Sequence, residues 1–244
     1  MAFAGRSVET DVSPGAWIVE AVTRHEWGAS LASLVPDVFE GHVRVFHPAY
    51  RYVGDHDIEV PWTDVTALNG TKAHPLMQWG PVTGAWDYRN EDSQPPVWDR
   101  APDEGHLPTD VAARLVRVLR RHTTTPDDCW FGVWDGLGTV HSGAPTLAVP
   151  NRGHWLLRGP IDLATANMAD EPSEQSATLW WPADRAWCVI TDTDLMSTYV
   201  GGSAACVADL LAAPDLETAS VLPSDPVAFD QDPVNPQPGD HPFD

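Results

Sequence analysis

Lysine is nearly missing from this chain. Lys72 stands alone among 14 basic side chains, which face 35 acidic ones and leave a formal charge of -21 over 244 residues. Neutralising phosphates takes Lys and Arg, so nucleic acid is excluded as an expected partner, and an anionic membrane surface with it. A basic protein or a cation is the natural complement of such a surface. Long apolar runs are missing too: none approaches the roughly 18–20 residues that a membrane-crossing helix requires. The first residues, MAFAGRSVETDVSPG, lack the basic-then-apolar layout of a secretory signal, so the expected location is cytoplasmic. Cysteine is scarce, with Cys129, Cys188 and Cys206 odd in number, widely spaced and set beside apolar residues. That excludes a disulfide framework and a CxxC metal site, and predicts buried, reduced thiols.

What the chain does hold is aromatic bulk: 12 Trp, 6 Phe and 4 Tyr within a hydrophobic fraction of 43%. This is enough apolar surface for a core without covalent staples. The 23 Pro and 18 Gly are scattered, which predicts short elements joined by many turns. Strands are expected at Ala16–Val22, His42–Phe46, Ile58–Trp62, Cys129–Trp134, Trp155–Arg158 and Trp187–Thr193. The clearest helix covers about 110–122, where Val111, Leu115, Val118, Leu119 and His122 share a face opposite Arg114, Arg117 and Arg121; Thr109 is its expected N-cap. A second helix is expected near 203–213, capped by Ser203 behind Gly201-Gly202, with Val207, Leu210 and Leu211 inward. Shorter helical pieces fall at Ala29–Leu34, Thr63–Leu68 and Asp162–Ala166. The predicted fold is a single loop-rich α+β domain over residues 1–222 with a mainly antiparallel sheet. Residues 223–244, rich in Pro and Asp, read as an extended or disordered acidic tail, and 90–108 as a long surface loop.

Asp192 and Asp194 are the leading candidates for chemistry. On a strand through WCVITDTD they share one face, and two carboxylates there could hold Mg²⁺ or Ca²⁺, or divide acid and base roles. No organic cofactor is implied; a divalent cation is the one compatible with this pair. Asp55-His56-Asp57 would matter only if folding carried it to Asp192. The ten histidines show neither HExxH nor HxH spacing, and structural roles are expected for them. Gly132 to Gly138 lacks the spacing of a phosphate loop and reads as a tight turn, while Ser203 reads as a cap rather than a nucleophile. Trp86, Trp180, Trp181, Asp184 and Arg185 form the candidate partner- or ligand-binding set, because a tryptophan beside charged residues suits an interface or a sugar- or cation-binding platform. Trp180 and Trp181 point to opposite faces of a strand, so both reach a core only if the sheet is covered on two sides.

The segments LWWPADRAWCVITDTDLMSTYVGGSAACVADLLAAPDLE and VTRHEWGASLASLVPDVFEGHVRVFHPAYR resemble an uncharacterised actinobacterial family of hypothetical proteins, with the likeness spanning much of residues 15–222. That resemblance implies domain limits and location rather than an activity. CWFGVWDGLG in an acidic α/β setting is faintly similar to the SUKH superfamily of immunity and interaction proteins. Three functions follow as expectations. The first is an immunity- or adaptor-like domain recognising a basic protein partner. The second is a metal-assisted or acid/base enzyme around Asp192 and Asp194. The third is a tryptophan-lined binder of carbohydrate or another small molecule.

Overall fold

The computed structural model describes residues 2–86, 97–136, 143–170 and 172–239. Strands alternate their side chains between two faces, and here both faces are apolar. In CWFGVW, Cys129, Phe131 and Val133 enter one core and Trp130 the other. In LWWP, Trp180 enters the first, and Leu179 and Trp181 the second. Such strands are stable only between two covering layers.

In chain order the strands are β1 (Ala2–Phe3), β2 (Arg6–Ser7), β3 (Gly41–Phe46), β4 (Ala49–Val53), β5 (His56–Val60), β6 (Cys129–Trp134), β7 (Leu147–Val149), β8 (Arg152–Gly159), β9 (Leu179–Pro182), β10 (Trp187–Ile190), β11 (Ser197–Gly202) and β12 (Thr218–Val221). The helices are α1 (Ala16–Val22), α2 (Trp62–Asn69), α3 (Trp79–Thr83), α4 (Thr109–Leu119) and α5 (Ala204–Leu211). Eight strands form one sheet in the order β12-β3-β11-β10-β9-β6-β8-β7, and every neighbouring pair is antiparallel. The α+β class with a mainly antiparallel sheet is therefore as expected. β1-β2 and β4-β5 are separate two-stranded hairpins.

One face is covered by α4, through Val111, Leu115 and Leu119, and by α5, through Cys206 and Leu210. The other is covered by Ile18 and Val22 of α1, by Leu31, Leu34 and Val35, and by Val227. A third cluster, Phe46, Trp62, Met77, Trp79 and Trp98, fills the corner under α2 and α3. Its rings form a ladder with centroids 5.0, 5.1 and 5.3 Å apart from Phe46 through Trp62 and Trp79 to Trp98, a spacing that favours tilted and edge-on contacts. α2 has no cap of its own. Glu217 supplies it, accepting from the backbone N–H of Trp62 at 2.7 Å and of Thr63 at 2.8 Å.

Several local expectations need correction. Ala16–Val22 is a helix rather than a strand, because its buried residues Ile18, Ala21 and Val22 fall at i, i+3 and i+4 behind a turn begun by Pro14. Strand Ile58–Trp62 ends at Val60, since Pro61 stands at the cap of α2, which begins at Trp62. Trp187–Thr193 ends as a strand at Ile190. α4 begins at Thr109 itself, with Pro108 at the cap position and no side-chain capping bond. In α5 Ser203 is the cap, its Oγ accepting from Cys206 N–H at 3.2 Å, but Cys206 and Leu210 point inward and Leu211 is exposed.

The acidic segment after Pro223 carries no helix or strand up to residue 239, yet it is packed against the body. Val227, Asp232 and Asn235 are buried. Residues 240–244 of that segment, 90–96 of the expected surface loop and 137–138 of the glycine-rich turn lie outside the described residues.

Candidate functional site

The strand reading of WCVITDTD put two carboxylates on one face; the molecule brings them together by a different route. Beyond β10 the chain turns, Leu195 N–H donating to Asp192 O at 3.2 Å and Asp194 N–H to Asp192 Oδ1 at 3.1 Å. Gly105 braces this turn: it adopts φ +69°, its N–H donates to Leu195 O at 3.0 Å, and an added Cβ would sit 2.5 Å from Thr193 O. Arg152, at the start of β8, then reaches across, its Nη2 lying 2.6 Å from Asp194 Oδ2 and 3.3 Å from Asp192 Oδ1. The guanidinium also lies over the rings of Trp134 and Trp27, at 5.3 and 5.5 Å from their centroids.

Burial pushes the Asp192 carboxyl above its ordinary range, and the Arg152 charge pulls it part of the way back. Asp192 is 8% exposed, whereas the Asp194 side chain is 68% exposed, so the inner pair is the one with energetic weight. Asp192 and Asp194 thus share a guanidinium. Among the described residues, no group of three or more His, Cys, Asp or Glu is placed to hold a metal ion.

This ionic turn forms one end of a cleft of about 1050 Å³. Its other walls are aromatic: Trp27 from the loop after α1, Trp62 and Trp79 from α2 and α3, Trp86 just past α3, and Phe229 from the C-terminal segment, with Leu195 and Met196 between them. Trp86 meets Phe229 edge-on at 5.8 Å and donates from Nε1 to Pro238 O at 3.2 Å. The C-terminal segment is held in place by Asp232. Its carboxylate accepts from His74 Nε2 at 2.9 Å, from the backbone N–H of Gln78, Val234 and Asn235, and from Asn235 Nδ2. These bonds outweigh the cost of burial and keep the Asp232 carboxyl below the usual range.

Behind the aromatic wall lies Arg44, buried on β3 with no carboxylate in contact among the described residues. It donates to Ser197 Oγ at 2.9 Å, Met77 O at 2.8 Å and Gln78 Oε1 at 3.3 Å, and stacks on Phe46 at 4.5 Å. Two residues of the cleft wall hold buried donors with no partner among the described residues, Nε2 of Gln78 and Nε1 of Trp79; so does Nε of Arg152. An unmet buried donor costs about 1–3 kcal/mol.

Of the candidates picked out in the sequence, Trp86, Asp192 and Asp194 meet at this cleft. Trp180 and Trp181 are each 1% exposed, on opposite faces of the sheet, so neither offers a surface to a partner. Asp184 caps the Thr123–Thr125 turn, accepting from Thr124 N–H at 2.6 Å, and Arg185, at φ +57°, lies over Trp17. All twelve tryptophans are buried or half-buried. Asp55 and His56 are exposed on the β4-β5 hairpin and are not part of the cleft. His47 and His154 are buried and pushed down to about 4, chiefly by desolvation, so both are neutral at pH 7. The three cysteines are free and buried. Ser203 spends its side chain on the cap of α5, whose Ala204 N–H is taken by Glu40 Oε2 at 2.7 Å.

Arg152, Gln78, Trp79 and Phe229 escaped sequence reasoning. The traces of the aromatic wall in the sequence are Trp86 itself and Gly80, where an added Cβ would lie 2.8 Å from the Trp86 ring. No protein-family model, curated protein or solved structure matches the chain.

Proposed function

We propose that this protein binds a small organic molecule in the tryptophan-lined cleft. The observation that carries this reading is the convergence of Trp27, Trp62, Trp79, Trp86 and Phe229, drawn from four separate stretches of chain, on one concave surface that ends in the Arg152-Asp192-Asp194 cluster. Its volume is on the scale of ligand pockets, roughly 300–1,000 Å³. Concavity, apolar walls and a few convergent polar groups are what such sites require. Cys129, Cys188 and Cys206, all reduced, suit a cytoplasmic setting. No helix among the described residues is long and apolar enough to cross a membrane.

The test is a screen of apolar and aromatic compounds by tryptophan fluorescence and thermal shift, repeated on Ala228→Trp, which sets an indole into the cleft from its C-terminal wall. Binders should stabilise the protein by about 2.7 kcal/mol at a hundredfold excess over Kd, and Ala228→Trp should weaken them at least tenfold. A screen without binders, or undiminished binding to folded Ala228→Trp, refutes the proposal.

A second reading, recognition of a basic protein partner, draws support from the charge of -21 and from the β4-β5 hairpin, where exposed Tyr52, Val53 and Ile58 lie among Asp55 and Asp57. Exposed apolar groups ringed by acids fit a basic docking surface. Salt-sensitive capture of a basic partner by the wild type, lost in Ile58→Asp, would favour it over the cleft reading.

A further inference from the structure

Resting on the second of these readings, we infer that the basic partner is an extended segment, with lysine or arginine at alternate positions and apolar residues between them, that adds to the β4-β5 hairpin as a further strand along β5. The hydrogen bonding of the hairpin leaves that place open. Tyr50 N–H donates to Arg100 O at 2.8 Å, Tyr50 O accepts from Arg100 N–H at 3.0 Å, and Tyr52 N–H donates to Asp99 Oδ2 at 2.6 Å. The backbone groups of Tyr50 and Tyr52 therefore face away from β5, and in an antiparallel pair the residues directly opposite face outward as well. Glu59 stands opposite Tyr50 and Asp57 opposite Tyr52, so their N–H and C=O groups line the outer edge of β5, where no strand pairs with them among the described residues. The edge of β4 is covered by residues 99–100; that of β5 is open, with His56, Asp57 and Ile58 exposed.

Alternation divides the side chains of the hairpin between two faces. Tyr50, Tyr52, Asp57 and Glu59 share one, and Arg51, Val53, His56 and Ile58 the other. On the second face Val53 is 47% exposed and Ile58 50%, and exposed Arg51 beside them repels a cation. Apolar side chains of an added strand fit there, and basic ones belong on the face of Asp57.

Charge selects the occupant. Five carboxylates gather at the hairpin, Asp55 in its turn with Asp57, Glu59, Asp99 and Asp103, against three guanidiniums, Arg51, Arg100 and Arg114. Arg114 holds Glu59 at 2.6 and 2.8 Å, and Arg100 holds Asp103 at 2.5 Å. The attraction left for a partner is thus centred on Asp55, which is exposed, and on Asp57, whose side chain is 53% exposed and 4.0 Å from Arg100. A second copy of this chain pairing here would set acids against acids, and like charges directly opposite on neighbouring strands are destabilising. Acids on an open edge are a device against self-pairing; a basic strand turns the same charges into attraction. Strand addition draws its affinity from main-chain bonds and its specificity from alternate side chains.

The probe is acetyl-TVKVKVK-amide, titrated calorimetrically into the full chain at low salt beside its scrambled form, acetyl-VVVKKKT-amide, and its acidic form, acetyl-TVEVEVE-amide. It should bind at least tenfold more tightly than either. A lysine opposite Asp57 points its own N–H at β5, so N-methylation of the lysines should weaken binding at least tenfold, and N-methylation of the valines less than threefold. In the protein, Asp57→Pro deletes an outward N–H and spares the β4-β5 ladder, as proline can on an edge. It should abolish binding, whereas Asp57→Asn, which loses only charge, should weaken it less than tenfold. Amide hydrogen exchange decides the matter if Asp57→Pro does not fold: with peptide bound, Asp57 and Glu59 should become protected, and Ile58, already bonded within the hairpin, should not change. Equal binding of the scrambled peptide, equal effects of the two methylations, or unprotected Asp57 and Glu59 amides overturns strand addition and leaves recognition of a basic partner standing. Failure of both basic peptides to bind, or preference for the acidic one, overturns both.

Discussion

Replacing Arg152 by methionine keeps most of the side-chain volume and removes the charge that Asp192 faces. Asp192 is almost completely buried, and burial already pushes its carboxyl upward. Breaking a buried pair by deleting one partner costs roughly 3–5 kcal/mol. The low end applies, because Asp194 is mostly exposed and contributes little, so the expected loss at pH 7.5 is about 3 kcal/mol. At about 2–4 °C per kcal/mol for a chain of this size, the melting temperature should fall by about 6–12 °C. The loss has a definite pH signature. With Arg152 gone, the folded-state pKa of Asp192 rises further above its unfolded value, so the folded state binds the extra proton and the deficit shrinks as pH falls through that raised pKa. What remains once Asp192 is protonated is the stacking of the guanidinium on Trp27 and Trp134, about 0.5–1 kcal/mol for each ring. Thermal melts of wild type and Arg152→Met between pH 5 and 8 read both parts, and adding Asp192→Asn should restore most of the pH 7.5 loss. A deficit of equal size at pH 5 and pH 7.5, or no rescue by Asp192→Asn, would show that Arg152 acts by packing alone.

Three further outcomes follow from the same contacts. Gly105→Ala must place a Cβ at φ +69° and 2.5 Å from Thr193 O, so urea unfolding should show a loss of at least about 2 kcal/mol; a loss below about 1 kcal/mol would mean the Asp192 turn is free to shift. Asp232→Asn removes a buried anion held by five hydrogen bonds and should cost about 2–3 kcal/mol at pH 7. Because the folded pKa of Asp232 is depressed, that contribution exists above the unfolded value of about 3.9 and disappears as pH falls through the folded one, so the gap between the two proteins should narrow in acid melts taken below that unfolded value. Finally, burial pushes Cys129 and Cys206 up to about 12 and Cys188 further still, so Ellman's reagent at pH 8 should label no thiol in the folded protein and all three in guanidinium; labelling of the native state would place a thiol at the surface.

The elements that could be read from sequence are those whose pattern is local. α4 announces itself by Val111, Leu115, Val118 and Leu119 on one face, and β6 by an apolar run bounded by turns. Trp180 and Trp181 posed a conditional question, and the answer lies in layers contributed by distant parts of the chain, α4 and α5 on one side, α1 and Val227 on the other. AWIVEAV was misread because a short apolar run fits either period; Pro14 and the i, i+3, i+4 burial of Ile18, Ala21 and Val22 decide it. Alternation places Asp192 and Asp194 together, but the turn past β10, not the strand, is what makes them neighbours. Their partner Arg152 sits 40 residues from Asp192, and no local rule pairs them. The same holds for the cleft: the Trp86–Phe229 contact and the Gln78–Asp232 bond join residues more than 140 positions apart, so neither leaves a mark on composition or periodicity.

The cleft is built from the parts of the chain that regular structure holds least. α3 has five residues, the Asp192–Leu195 turn begins past the end of β10, and 223–239 has neither helix nor strand. Individual side chains and a few backbone bonds fasten them, among them Gly105 N–H to Leu195 O, Leu31 N–H to Asp225 O and Ala32 N–H to Pro223 O. Asp232 ties the last segment to Gln78 and His74, and Asn235 exchanges bonds with the backbone of Lys72, accepting from its N–H at 2.8 Å and donating to its carbonyl at 3.0 Å. Such bonds contribute about 0.5–3 kcal/mol each, far less than the covered eight-stranded sheet. The C-terminal wall beyond Val227 can therefore part from the body by local opening that leaves the strand pairing intact. Native-state hydrogen exchange should place the amides of 228–239 several kcal/mol below those of β6, and Asp232→Asn should widen that gap while leaving β6 at the global limit. If both regions exchange with one free energy, the wall opens only when the whole domain unfolds, and a ligand would have to enter past Trp27 and Arg152 instead.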